Sequence, residues 1–250
     1  NTAHDSDNKI HDDEVAARFG FTGGLVPGVD VYAYLCQPAV EHWGPDFFTR
    51  AVTDVRLVAP VYDGEEVEIA ATVDDDGELV AEARTAGVQA TLVARLDGGP
   101  PPVEVVPWAD PPSKRPPASP ESLAAGTVLG GFRLRCSTGA AERYLDDVRD
   151  SNSPTRQWGV VHPGWILRRA NEALAKSVLL PPWIHVGSVT RHVRAPRVEE
   201  EITVTGRVTD NFDRKGHLFV RADVHLSGED GALCAAIDHT AIYRPRQLLD

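Results

Sequence analysis

Apolar positions along the chain fall into two helical stretches, each followed by a run of alternating segments. After Pro27-Gly28 the residues Val31, Leu35, Pro38, Ala39 and Val40 recur at helical spacing, which predicts a buried helix ending near Trp43 with a kink at Pro38. Period-two segments at about 51–58, 65–73, 79–86 and 88–96, divided by the turn signals Tyr62-Asp63-Gly64 and Asp74 to Gly77, read as strands. A shorter helix is expected from His11 to Phe19, before a Gly-rich turn at Gly20 to Gly24. Further along, a strand at Phe132 to Cys136 leads into a helix capped by Ser137 or Thr138 and running to Val148. Residues 149–161 read as a loop, 165–179 as a longer helix, and 184–194, 201–211, 216–226 and 232–243 as strands.

The two halves repeat one plan. From Val26 to Asp74 and from His162 to Asp210 the same order recurs at a constant offset of 136 residues: Pro27-Gly28 falls on Pro163-Gly164, Ala59-Pro60 on Ala195-Pro196 and Asp74 on Asp210. We read a duplicated and fused unit, with residues 1–96 and 126–250 as the copies and 97–125 as the linker. Nine prolines between Pro100 and Pro120 exclude a helix or central strand in that linker and suit an extended connection. In each copy a long helix precedes four antiparallel strands, which predicts an α+β unit with the helix laid on a curved sheet. The seam between the copies is then the first place to look for a site.

Composition narrows the classes of function. The 250 residues carry a net charge of −12 with no segment that concentrates Lys and Arg, which argues against a nucleic-acid partner. Cys36, Cys136 and Cys234 lack metal-ligand spacing and lie in helix and strand patterns, so buried thiols in a reducing compartment are expected. No apolar run approaches the ~20 residues of a membrane span and no secretory leader opens the sequence, so a cytoplasmic location is expected. The sequence has no methionine and begins at Asn1, which suggests that a first strand is missing from the first copy. Histidines are not paired at helical spacing, so no metal site is expected.

One segment is more specific. Asn8-Lys9-Ile10-His11, then Asp12-Asp13, Ala16, Gly20-Phe21 and Gly24-Leu25-Val26-Pro27-Gly28, resembles the signature of the MaoC-like, R-specific enoyl-CoA hydratases and dehydratases. That signature has the form D-x-N-P-x-H, followed by an alanine-containing helix, a Gly-Phe turn and an apolar-His-Gly helix start. The resemblance extends over both copies, leaving out the linker. It implies a hotdog fold, a curved antiparallel sheet wrapped around a central helix, here as a double hotdog that is a monomer or a dimer of fused pairs. It also implies a small-molecule acyl thioester as partner, with CoA present only as part of the substrate and no other cofactor.

In that family an Asp and a His add or remove water at C2–C3 of an enoyl thioester, and N–H groups at the central helix start hold the developing enolate. Carried onto this chain, the resemblance gives His11 as acid and base, Asn8 as a positioning group, and Asp5 or Asp7 as the carboxylate, because the family's aspartate position is Ser6. In the second copy Asp150 and Asn152 match, but Thr155 stands where the histidine belongs. Gly28 and Val29, or Gly164 and Trp165, are the helix-start candidates for substrate binding, with His162 beside the second pair. Neither copy holds a whole dyad. Three explanations stay open: Asp5 or Asp7 supplies the carboxylate, the protein binds a thioester without hydrating it, or His11 and Asp150 form a composite site.

Each candidate also has a plainer reading. His11 opens an acidic helix start, Asn8 is a common cap, and Asp150 to Pro154 has turn composition. Asn171 stands out because it falls on the apolar stripe Leu167, Ala170, Leu174, Val178 and needs a partner there. A thioesterase is the alternative enzyme, with Asp30, Glu41 and Glu172 as candidate carboxylates. Alternation places His185 and Arg191 on one face of their strand and Ile184 and His192 on the other; Arg191, Arg194, Arg197, Arg214 and Lys215 are candidates for CoA phosphates.

Overall fold

A computed structural model describes residues 2–3, 8–97, 104–150 and 153–246. A turn of 3-10 helix at Lys9–His11 precedes helix α1 (Asp13–Arg18), whose N-cap Asp12 accepts hydrogen bonds from the N–H groups of Glu14 and Val15. Helix α2 (Gly28–Trp43) follows and keeps Pro38 inside it. After a short α3 (Phe47–Arg50) come strands β1 (Ala51–Leu57), β2 (Glu68–Val73), β3 (Leu79–Arg84) and β4 (Val88–Leu96). The second half contains β5 (Val128–Arg135), α4 (Thr138–Asp147), α5 (Pro154–Trp158), α6 (Pro163–Ser177), β6 (Ile184–His192), β7 (Glu201–Arg214), β8 (His217–Ser227) and β9 (Leu233–Arg244). Ser137 caps α4 as expected, whereas 149–161 contains α5, started by Pro154 and closed by Gly159 in the left-handed region.

The strands form one nine-stranded antiparallel sheet in the order β2-β3-β4-β1-β6-β9-β8-β7-β5. The first four belong to the first half and the other five to the second, so the halves join through β1 and β6. Their pairing carries the repeat: the 136-residue offset maps the pair Val52 and Arg191 onto Ser188 and Val55, which are also paired. Equivalent strands therefore meet across a two-fold axis, and neither half leaves that edge unpaired. The counterpart of β5 has no equivalent beside β2 among the described residues.

Helices α2 and α6 pack side by side on this sheet. Val31, Leu35 and Ala39 of α2 and Ile166, Leu167, Ala170 and Leu174 of α6 are buried in the single large core. At roughly 1.5–3 kcal/mol per buried large apolar side chain, this stripe is what holds each helix inside its curved strands. The architecture is a double hotdog. Gly164, the counterpart of Gly28, sits at the helix crossing, where a Cβ would stand 2.6 Å from Ala33 Cβ and 3.1 Å from the Val29 carbonyl oxygen.

The proline-rich segment returns along the second half instead of hanging free. Gly131 donates its N–H to the Ala109 carbonyl (2.8 Å), and Cβ atoms on Gly130 and Gly131 would run into Pro111 and Trp108 at 2.6 Å. Pro117 then bridges Leu179, and Arg115 donates to the Ala175 carbonyl at 2.6 Å. Cys36, Cys136 and Cys234 are all buried free thiols. Among the described residues no helix is long and apolar enough to cross a membrane.

One strand departs from simple alternation. The pairing of β6 with β9 slips between His185 and Gly187, a bulge that adds a residue and reverses parity. His185 therefore shares the buried face with Ser188, Thr190 and His192, while Arg191 turns outward to bond Asp97 at 2.8 Å. The expected opposition of His185 and His192 is corrected by that bulge.

Candidate active site

The turn at Lys9–His11 lies over the start of α2 and is held there by Asn8. Its Oδ1 accepts from the N–H of Ile10 (3.4 Å) and of Trp183 (3.2 Å), while its Nδ2 donates to the Trp183 carbonyl (3.0 Å). One amide thus fixes this turn against the entry to β6 from the other half. Three residues on, His11 Nδ1 lies 2.7 Å from the Leu25 carbonyl, an acceptor only, so Nδ1 carries the proton and Nε2 carries none. Burial lowers the His11 pKa, with the Leu25 bond and the charge of Asp30 pulling weakly the other way. The imidazole is neutral at pH 7 and offers a basic nitrogen.

Below it, α2 starts without a side-chain cap, because its N-cap is Pro27. The N–H groups of Gly28 and Val29 fall in the first turn, where no intrahelical acceptor exists, and the helix dipole makes this end positive. Glycine at 28 is required by closeness to the sheet: a Cβ would overlap Leu57 and stand 2.9 Å from His185 Nδ1.

Two cavities meet at this point. A broad cleft of about 1030 Å³ is lined by Arg115, Arg133, Arg168, Arg169 and Lys176, together with Asp147 and Glu172. A smaller chamber of about 250 Å³ runs between Val26, Val31, Leu57, Val61, Ile184 and Ile242. Asn8, His11, Pro27, Asn171 and Trp183 border both and form the junction. Asn171 comes from α6 and its Oδ1 is buried without a partner. The junction is thus built from both halves, with the imidazole from one and an unpaired amide oxygen from the other.

Beside the junction, Asp30 in the first turn of α2 is fully buried and paired with Arg168 of α6. Thr2 Oγ1 donates to its other oxygen at 2.7 Å. Both oxygens are engaged, so Asp30 acts as a brace between the central helices. Glu172 borders the cleft and bonds Arg169 (3.0 Å), and Glu41 is exposed.

The second half arranges its counterpart differently. His162 caps α6, its Nδ1 accepting the Gly164 N–H at 3.1 Å, which leaves the ring proton on Nε2, 3.3 Å from Asp150 Oδ2. Gln37 from the first half donates to Asp150 Oδ1 at 3.3 Å. Although burial raises the Asp150 pKa, bonds from His162 and Ser153 outweigh it, and the net shift is downward. Thr155, in the family's histidine position, is buried and bonds Ser153 Oγ at 2.9 Å. Trp165 lies under the Arg169 guanidinium at 4.2 Å. Both nitrogens of His162 are used and the Gly164 N–H is consumed, so neither the ring nor that N–H is spare, while the Tyr144 hydroxyl beside Gly164 has no hydrogen-bond partner among the described residues.

The sequence candidates therefore separate. Asn8, His11, Gly28, Val29 and Asn171 gather around the open junction, while Asp150, His162, Gly164 and Trp165 cluster at the second helix start, where His162 and Trp165 border a separate cavity of about 270 Å³. Asp150 is committed to His162 and Gln37 instead of joining His11 in a composite site. Asp5, Asp7 and Asn152 lie outside the described residues. None of Arg191, Arg194, Arg197, Arg214 and Lys215 borders the cleft; Arg115, Arg133, Arg168, Arg169 and Lys176 do. Sequence reading missed the Arg168 brace and Arg115 because neither carries a local motif. Asn171 was findable as a polar interruption of an apolar stripe.

No family model matches the chain, and no curated protein matches it in sequence. Solved structures do resemble it in fold. A protein of Chloroflexus aurantiacus described as a MaoC domain dehydratase superposes with a TM-score of 0.59 at 13% identity, covering 98% of this chain and 90% of that one. A conserved hypothetical protein of Mycobacterium tuberculosis, described as having a double hotdog fold, gives 0.59 at 14% identity over 95% and 86%. A protein of Novosphingobium aromaticivorans described as a thioesterase gives 0.53 at 11% identity over 89% of each chain. At these identities the likeness is one of fold.

Proposed function

We propose that the protein takes an acyl thioester at the junction and adds or removes water across its C2–C3 bond. The observation that carries this reading is the state and place of His11: a neutral imidazole with an unprotonated Nε2, at the mouth of an apolar chamber and over an uncapped helix start. The cationic cleft suits the phosphates of CoA, and the chamber suits a short acyl chain. In hydration, His11 Nε2 takes a proton from water as the oxygen bonds to C3. The electron pair of the double bond moves toward the carbonyl, and the enolate oxygen is held by the N–H groups of Gly28 and Val29. Returning a proton to C2 completes a 3-hydroxyacyl thioester. Asn171 orients the substrate through its unpaired oxygen. Asp5 or Asp7 remains the proposed carboxylate partner of His11. With both His162 nitrogens engaged, the second half acts as a support for the first.

Hydrolysis of the thioester is the second reading, supported by the fold likeness to proteins described as thioesterases. Its candidate carboxylates are less suited, because Asp30 and Glu172 are both held by arginines and Glu41 is exposed. A panel of enoyl-CoA esters from crotonyl-CoA upward tests both, by following enoyl absorbance and thiol release together. Loss of absorbance without thiol supports hydration; thiol released in step with that loss replaces it by hydrolysis, because cleavage also ends the conjugation of the alkene with the thioester. Neither signal across the panel overturns both and leaves binding.

A further inference from the structure

Past the junction, the chamber is apolar except for one side chain among the described residues, His185. It is buried, with 6% of its surface exposed, and its Nδ1 has no hydrogen-bond partner. A Cβ on Gly28 would stand 2.9 Å from that nitrogen, which places it directly beneath the first turn of α2. Its other nitrogen belongs to a relay: His185 Nε2 to Ser188 Oγ at 2.8 Å, and Ser188 Oγ to His239 Nδ1 at 2.9 Å. The rings of His185 and His239 lie 4.5 Å apart. Burial holds both neutral, pushing His185 down to about 4 against the opposing pull of a bond with the Gly187 backbone, and His239 well below its usual value.

Proton bookkeeping along the relay gives His185 two states. If Ser188 donates to His185 Nε2 and accepts from His239 Nδ1–H, His185 carries its proton on Nδ1 and is a donor to the chamber. If Ser188 donates to His239 instead, His185 keeps its proton on Nε2 and presents Nδ1 as an acceptor. The remote His239 Nε2, also without a partner, absorbs the complementary change. An alkyl chain beside this nitrogen leaves it unpaired in a dry wall, whereas an oxygen pairs with it.

We propose that the acyl chain accepted by this chamber carries a hydroxyl or keto oxygen of its own, beyond the carbons that His11 reaches, and that His185 Nδ1 binds it. This rests on the reading of the junction as an acyl-thioester site. The relay lets one imidazole accept from a hydroxyl or donate to a ketone, and the chamber's small volume keeps the chain short.

The test measures binding alone, by calorimetric titration of the full chain with saturated CoA esters that cannot be hydrated. Hexanoyl-CoA is compared with its hydroxy and oxo derivatives substituted at C4, C5 or C6. At least one oxygenated isomer is expected to bind about tenfold tighter than hexanoyl-CoA. His185→Leu is expected to abolish that preference while retaining hexanoyl-CoA. Should His185→Leu fail to fold, His185→Gln, which keeps polar atoms, is expected to change the ratio of hydroxy to oxo affinity. Hexanoyl-CoA binding as tightly as every oxygenated isomer overturns the inference and leaves the acyl-thioester reading standing. No binding by any ester overturns both.

Discussion

The Asp30–Arg168 brace predicts that the two central helices depend on each other's charge. Asp30 is fully buried, and Arg168 keeps 24% of its side-chain surface in solvent. Arg168→Met preserves most of the apolar stem but strands a carboxylate inside the protein, with the Thr2 hydroxyl and N–H as its remaining hydrogen-bond donors among the described residues. Breaking a buried pair from one side costs about 3–5 kcal/mol, and the partial exposure of Arg168 places this case near 3. For a chain of this size that is a fall of about 6–12 °C in Tm. Asp30→Leu removes the other partner, and the double variant removes both, leaving no stranded charge. Urea unfolding of the four proteins closes a double-mutant cycle with an expected coupling of about 1.5–3 kcal/mol, the double variant losing much less than the sum of the singles. Losses that add to within about 0.5 kcal/mol would mean that Asp30 and Arg168 act as two independent groups and that no brace joins the helices.

Three other outcomes follow from the same geometry. Gly164→Ala should destabilise by about 1–3 kcal/mol through the clash with Ala33 and Tyr144, measured by urea unfolding; an unchanged midpoint would contradict the close helix crossing. His185, lowered to about 4, and His192, lowered to about 3, are buried neutral, so between pH 6.5 and 4 the unfolded chain binds protons that the folded chain does not. Stability should then fall on acidification by up to about 1.4 kcal/mol per pH unit for each, and a flat pH dependence from 7 to 5 would show that these rings are not held neutral. Asn8→Ala should lower kcat for enoyl-CoA hydration far more than it raises KM, since it frees the turn carrying His11; equal effects on both would assign Asn8 to substrate contact instead.

Much of the fold was legible because the repeat is written in the backbone's special residues. Pro27-Gly28 and Pro163-Gly164 mark helix starts that lie against other elements, and a duplicated apolar stripe leaves little choice of architecture. Helices and strands follow the expected order, with ends shifted by a few residues and the short α3 and α5 added, both too brief to show a periodicity. The bulge in β6 was not legible: one inserted residue leaves period-two alternation intact on either side, and only the pairing with β9 reveals the change of face. In the candidate site, N-x-x-H led to His11, yet how each half arranges its helix start needed atomic detail. His162 and Asp150 have the residue types of a catalytic dyad, and it is the bond from Gly164 that shows the ring to be fully used. Arg168 lies 138 residues from Asp30, and no local pattern joins them.

We propose that chemistry belongs to the helix start under His11, whose imidazole keeps an unprotonated Nε2, and not to the one under His162, whose two nitrogens are engaged. The most direct measurement is kcat for enoyl-CoA hydration in wild type, His11→Gln and His162→Ala, each checked for folding by urea unfolding. His11→Gln is expected to lose at least about 100-fold in kcat with its unfolding midpoint little changed, as removal of a general base requires. His162→Ala is expected to lose about 1–3 kcal/mol of stability with the cap and the Asp150 bond, while retaining kcat within a few-fold. The reverse pattern, activity lost in a folded His162→Ala and kept in His11→Gln, would contradict the account and move the reaction to the second half.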